Sequence, residues 1–197
     1  MRLFLLARHG QSVFNVAGIV NGDPSRDRGL TEQGAEEARR LGRQVGPVAI
    51  DLLVTSPFPR VLQTASLALG ARVVPHVVDA DLGDVRIGDL EGGTLDDYRA
   101  QPAHGDPTLR FPGGESLHEA ALRYAAAFER MLARAEVVTL VVCHEIPVRY
   151  AVNAAAGSAD LNGPLHDVAN ATPYVFDEAA LRRAVERIRA LTGTHPA

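Results

Sequence analysis

Five short apolar runs alternate with segments of helical period, and this alternation constrains the fold more than any other feature. Leu3 to Ala7 is a continuous apolar run ending at Arg8-His9-Gly10 and reads as a buried strand. Thr31 to Val45 places Ala35, Ala38, Leu41 and Val45 at helical spacing. It opens like a capping box, Thr31-Glu32-Gln33-Gly34, with Gly34 where an acid is usual. Ile50 to Thr55 reads as a second buried strand and Pro57 to Leu69 as a helix with Val61, Ala65, Ala68 and Leu69 on one face. Arg72 to Val78 reads as a third strand, and Pro75 assigns it to an edge. Glu115 to Ala135 is a long amphipathic helix, and Val137 to Val142 a β-branched strand suited to the sheet centre. A helix over Pro147 to Ala156, a strand over Thr172 to Phe176 and a helix over Glu178 to Leu191 complete the series.

Strands alternating with helices predict an α/β fold, a three-layer α/β/α sandwich around a mostly parallel sheet. The length, 197 residues, fits one domain over 1–197. Within it, residues 79–111 are rich in Gly, Asp and Pro, with one short helix expected around Leu95 to Ala100. A long irregular stretch inside a compact domain points to function, here a substrate-side loop region. In parallel sheets the ligand lies beyond the carboxyl ends of the strands. Arg8-His9, Ser56 to Arg60, Asp81 to Gly88 and Cys143-His144 each follow a strand, so these polar clusters are expected to converge on one crevice.

The formal charge of -4 argues against nucleic acid or an anionic membrane as the partner. A lone cysteine, Cys143, excludes an internal disulfide framework and fits a reducing compartment. The apolar run at the start of the chain is too short for a signal peptide, and no run reaches spanning length. The expected setting is cytoplasmic. The sequence leaves the oligomeric state open, a homodimer included.

Phosphoryl transfer to a side chain needs a nucleophile, cations for the equatorial oxygens and an acid for the leaving oxygen. His9 can be the nucleophile, since neutral imidazole is available near pH 7. Arg8 and Arg60 offer forked donors, His144 a further one, and Asn15 an amide. The acid must come from the loop after the third strand.

Leu6-Ala7-Arg8-His9-Gly10-Gln11-Ser12-x-x-Asn15 resembles the signature of the histidine phosphatase (phosphoglycerate mutase-like) superfamily. The resemblance runs along nearly the whole chain. Leu30-Thr31-Glu32-Gln33-Gly34 is similar to the family's LTxxG helix start, and Ser56-Pro57-x-x-Arg60-x-x-Gln63-Thr64-Ala65 to its second phosphate-arginine motif. Gly88-Asp89-Leu90-Glu91-Gly92 resembles GxWEG with Leu90 in place of Trp, and Pro112-Gly113-Gly114-Glu115-Ser116 matches PGGES. Val141-Val142-Cys143-His144 resembles the strand ending in the second histidine. The resemblance implies a phosphoglycerate mutase-like fold and a phosphomonoester hydrolase working through phosphohistidine on His9, with no metal or cofactor. It implies that Arg8, Arg60 and His144 bind the phosphoryl group, and that Gln11, Ser12, Asn15, Gly22 and Glu145 lie about the substrate. The family often has Glu four residues before the glycine matching Gly88. Asp84 holds that place, with Asp81 and Glu91 as the other carboxylates available.

Other readings compete. A phosphoglycerate-type mutase would return the phosphoryl group to bound product, but only Arg99 and Arg110 are basic between Gly92 and Phe111. A non-catalytic phospho-ligand binding module is opposed by the intact His9, Arg8, Arg60 and His144 set. Cys143 and Arg149, separated by five residues, resemble the phosphate loop of cysteine-dependent phosphatases, although that loop lacks glycine. His144-Glu145 has Val148 where a zinc protease needs its second histidine. Glu115-Ser116 reads as a helix start. His76, His104, His118, His166 and His195 show no ligand spacing and read as surface or core residues.

Overall fold

The computed structural model describes residues 1–193. Five strands form one sheet in the order β3-β2-β4-β1-β5: β1 Leu3–Arg8, β2 Leu52–Thr55, β3 His76–Val78, β4 Val138–Cys143 and β5 Pro173–Asp177. The first four are parallel, with Arg8 beside Cys143 and Thr55 beside Val142, while β5 runs antiparallel to β1. The sheet is therefore mostly parallel, with β4 central and β3 at an edge, as the β-branched run and Pro75 require.

The helices are α1 Val13–Ala17, α2 Glu32–Gln44, α3 Pro59–Leu69, α4 Leu95–Arg99, α5 Leu117–Leu132, α6 Glu145–Ala155 and α7 Glu178–Leu191. Alternate strand residues face opposite sides of a sheet. Accordingly Leu5, Ala7, Leu53, Leu140 and Val142 pack with Leu41, Val61 and Ala65 of α2 and α3. Phe4, Leu6, Val54 and Val141 pack on the other side with Phe128, Val148 and Leu181 of α5, α6 and α7. The result is a three-layer α/β/α sandwich.

Several expected boundaries move. The third strand covers only His76–Val78 rather than starting at Arg72, because Pro75 cannot donate to the ladder. α6 begins at Glu145, ahead of the expected Pro147. Proline is tolerated there because N–H groups of a first turn have no intrahelical partner. α5 begins after Ser116, whose side chain accepts from Glu119 N while the Glu119 carboxylate accepts from Ser116 N. The periodicity did not signal α1, a five-residue helix capped by a reciprocal Ser12–Asn15 pair.

Gly34 explains its departure from the usual capping box. Thr31 Oγ1 accepts from Gly34 N at 3.0 Å. A Cβ on Gly34 would lie 2.0 Å from the Gln11 carbonyl oxygen, so α2 approaches the loop after β1 too closely for any side chain.

Candidate active site

The carboxyl ends of β1, β2 and β4 open into a cavity of about 630 Å³, whose lining includes Arg8, His9, Asn21, Arg60, Asp84 and Glu145. The 79–111 segment supplies one wall through Asp84, Val85, Ile87, Leu95, Tyr98, Arg99 and His104.

His9 is held by its backbone. Its N–H donates to Cys143 O at 3.0 Å, and Asn170 Nδ2 donates to its carbonyl at 2.8 Å. In the ring, Nδ1 lies 2.7 Å from Gly10 O. A carbonyl only accepts, so Nδ1 carries the hydrogen and Nε2 holds the lone pair. Arg60 Nε donates to that Nε2 at 3.1 Å. Burial, then Arg60, His144 and Arg8, hold the His9 pKa well below the usual histidine value, so the imidazole is neutral at physiological pH.

Arg60, in the first turn of α3, is the hub. Its Nη1 donates to Asn21 Oδ1 at 2.5 Å. Its Nη2 faces Asp84 Oδ2 at 3.1 Å and His144 Nδ1 at 3.2 Å. Asp27 has no side-chain exposure and anchors the arginine, accepting from Arg60 N at 2.8 Å with Nη1 3.5 Å away. Phe58 lies beneath the guanidinium at 4.5 Å and packs its ring edge against His144. The spacing of the sequence gives no sign of Asn21 and Asp27, which sit in a turn-rich stretch without period. The motifs around His9, Arg60, Asp84 and His144 signalled the rest of this cluster.

His144 is fully buried at the end of β4, with Nε2 2.8 Å from Ser56 Oγ. Burial pushes its pKa down to about 4, against the pull of Asp84. With His144 neutral, Arg60 is the permanent cation facing Asp84. Burial alone would raise the Asp84 carboxyl. His144, Arg60 and His9 outweigh it and hold that carboxyl well below the usual range, so it is ionised.

Of the candidate acids, only Asp84 lines the cavity. Asp81 pairs with Arg130 at 2.8 Å, away from the site. Glu91 accepts from Asn21 Nδ2 and Gly22 N, each at 2.6 Å, and shapes the segment that holds Arg60. Arg123 of α5 fixes the acid loop: Nη1 donates to Asp81 O at 2.7 Å and Gly83 O at 2.8 Å, and Nη2 to Asp84 O at 2.7 Å. Glu115 holds that guanidinium through Nε at 3.0 Å and accepts from Arg86 N at 2.9 Å. Glu115 therefore does more than start a helix.

Ser12, Asn15 and Glu145 line the cavity as expected. Three expected residues do not: Gln11, Gly22 and His144, the last fully buried with its Nδ1 against Arg60 and Asp84. Gln11 turns toward α2, its Oε1 accepting from Thr31 Oγ1 at 2.8 Å. Gly22 is a spacer: a Cβ there would meet Val85 O at 2.2 Å. Two histidines read as surface or core, His104 and His166, are in the cavity wall. His195 lies outside the described residues. The cysteine rival fails. Cys143 is buried in the core, its Sγ directed at His144 O, and burial pushes the thiol up to about 12. α6 also starts at Glu145, leaving no loop to wrap a phosphate.

Arg8 Nη1 donates to Val168 O at 2.9 Å and pairs with Glu145 Oε2 at 3.0 Å, while its Nε is buried and has no partner among the described residues. Together the residues offer a neutral nucleophilic nitrogen, guanidinium donors and a carboxyl group around one cavity. That set can transfer a phosphoryl group.

Known proteins share this arrangement of sequence and fold. The chain is 38% identical over 136 residues to a 2,3-bisphosphoglycerate-dependent phosphoglycerate mutase of Methylobacterium sp., covering 62% of this chain and 64% of that protein. The namesake of Methylobacterium radiotolerans is 32% identical over 194 residues, covering 89% of each. Among solved structures, Bacillus stearothermophilus YhfR superposes with a TM-score of 0.79 at 28% identity, covering 90% of this chain and 91% of that one. A mycobacterial glucosyl-3-phosphoglycerate phosphatase in complex with VO3 superposes at 0.74 with 25% identity, covering 90% and 93%. Residues 4–190 match the histidine phosphatase superfamily (branch 1), and the chain belongs to it.

Proposed function

We propose that this protein is a phosphomonoesterase that hydrolyses a small phosphorylated metabolite through a phosphohistidine on His9, without a metal ion. One observation carries the reading: Nδ1 is committed to Gly10 O, which leaves the Nε2 lone pair of a buried neutral ring facing Arg60 in the cavity. Arg60 and Arg8 take the phosphoryl oxygens, with His144 holding Arg60 and Asp84 in place from its buried position, and a phosphoryl oxygen gives the buried Arg8 Nε the acceptor it lacks. Asn15 has its Oδ1 engaged by Ser12 N and offers Nδ2.

His9 Nε2 attacks phosphorus, the N–P bond forms as the ester P–O bond breaks, and Asp84 protonates the departing oxygen. Asp84 is ionised beside Arg60. The substrate's phosphate dianion engages Arg60 and Arg8 and places negative charge beside the carboxyl, which raises its proton affinity so that it takes up a proton from solvent before the ester bond breaks. Water then attacks the phosphohistidine, gives its proton to Asp84, and inorganic phosphate leaves with His9 neutral again.

The mutase reading rests on the names of the sequence relatives. Arg110 speaks against it, because its guanidinium is paired with Glu119 at 3.0 Å and is absent from the cavity lining, leaving Arg99 as the basic residue of that segment at the site. The test is a steady-state assay of aryl phosphate hydrolysis in chelator, run beside a phosphoglycerate mutase assay. Hydrolysis retained in chelator and lost in His9→Ala supports the phosphatase. Mutase turnover exceeding hydrolysis overturns it.

A further inference from the structure

Glu145 stands immediately after His144 in the first turn of α6 and spreads one carboxylate over two cavity arginines. Its Oε2 is 3.0 Å from Arg8 Nη1, and its Oε1 is 3.3 Å from Arg149 Nη1. An acid in a first helical turn is favourable through the dipole alone, but that explanation asks nothing of where its oxygens point. Here both are spent on guanidiniums that line the cavity.

The consequence is electrostatic. The cavity lining carries Arg8, Arg60, Arg99 and Arg149 against Asp84, Glu145 and Asp167, and among the described residues Glu145 alone faces two of these guanidiniums. Of these charged residues, Arg99 and Asp167 are exposed. Arg149 is the guanidinium that Glu145 holds together with Arg8, and its Nη1 also donates to His166 O at 3.1 Å. A second anion would have to share it with the Glu145 carboxylate, and placing like charges side by side is costly. Uncharged polar groups meet no such barrier, and Asn15, Tyr98, Asn162 and His166 are present to hydrogen-bond them.

We propose that Glu145 sets the substrate class of this cavity, selecting phosphomonoesters whose leaving group is polar and uncharged and discriminating against those that carry a second anion. The inference rests on the phosphatase reading above.

The matched probes are glycerol 3-phosphate and 3-phosphoglycerate, similar in size and differing in a carboxylate. The readout is the ratio of their kcat/KM values. Where turnover is slow, the ratio of their inhibition constants against aryl phosphate hydrolysis serves instead. Wild type should favour glycerol 3-phosphate. Glu145→Gln should shift the ratio toward 3-phosphoglycerate by about tenfold or more. Glu145→Asp, which keeps the charge, should retain the wild-type preference, and Arg149→Gln should strengthen it. A wild-type preference for 3-phosphoglycerate, an unchanged ratio in folded Glu145→Gln, or no turnover and no inhibition by either probe overturns the inference while leaving the phosphatase reading intact. Absence of aryl phosphate hydrolysis overturns the phosphatase reading itself.

Discussion

At His9 the nitrogen proposed as the nucleophile is selected by what the other one does. Gly10 O holds Nδ1–H, which leaves Nε2 toward Arg60 Nε as the side proposed for the phosphoryl group. Asp84 is the residue best placed to protonate the leaving oxygen, so Asp84→Asn should slow esters of poor leaving groups far more than activated aryl esters. Equal slowing of both, measured across a leaving-group series, would remove Asp84 from that role. The buried histidines also set a pH window for stability. His144 titrates near 4 when folded and near 6.5 when unfolded, so the unfolded chain binds its proton first as pH falls and stability drops from about pH 6.5 downward. At pH 5 the loss from His144 is about 2 kcal/mol, at 1.36 kcal/mol per pKa unit. His9 acts in the same direction. The Asp84 contribution is present above the unfolded carboxyl value and is lost only at lower pH. Thermal melting of wild type and His144→Gln between pH 7 and 5 should show a steeper fall for wild type; parallel curves contradict this. His9, Arg8, Arg60 and His144 were legible in the sequence because each follows a strand within a motif that resembles the family's, and Asp84 through that resemblance alone. Asn21 and Asp27 were not, because their contacts with Arg60 arise from a turn whose path no local spacing encodes.

Among the elements, α5 reaches the chemistry through backbone carbonyls. Arg123 pins Asp81, Gly83 and Asp84 from its distance, and Glu115 pins Arg123. Arg123→Lys cannot reproduce that fork. It should reduce turnover of poor leaving groups by up to about 100-fold, with little further effect in an Asp84→Asn background. Additive losses in the double variant would show that α5 acts on something other than the acid. α2 meets the loop after β1 at Gly34, where alanine gains about 1 kcal/mol of helix propensity but forces a Cβ to 2.0 Å from Gln11 O. Overpacking of about 1–3 kcal/mol prevails, so Gly34→Ala should lower the melting temperature, and an unchanged or higher value contradicts the close approach. Elements with a long apolar period, such as α7, could be read from sequence to their ends. α1 could not, because five residues hold too little period and its cap pairs Ser12 with Asn15 instead of an acid.

For the whole molecule, the alternation of strands and helices determined the layered sheet, and the sheet brought the ends of β1, β2 and β4 together at one cavity. That much was legible from the order of the elements. The charge balance of the cavity was not, since it depends on Glu145 spanning Arg8 and Arg149 and on Arg110 turning away to Glu119. The phosphohistidine is the state on which every other statement about the mechanism depends, so it is the one to trap. Protein mixed with an activated aryl phosphate, quenched within a turnover and digested for mass spectrometry should carry one phosphoryl group, labile to acid and stable to base, on the peptide containing His9. It should be absent in His9→Ala. An acid-stable adduct, an adduct on another residue, or full turnover with no adduct at any quench time would contradict covalent catalysis by His9.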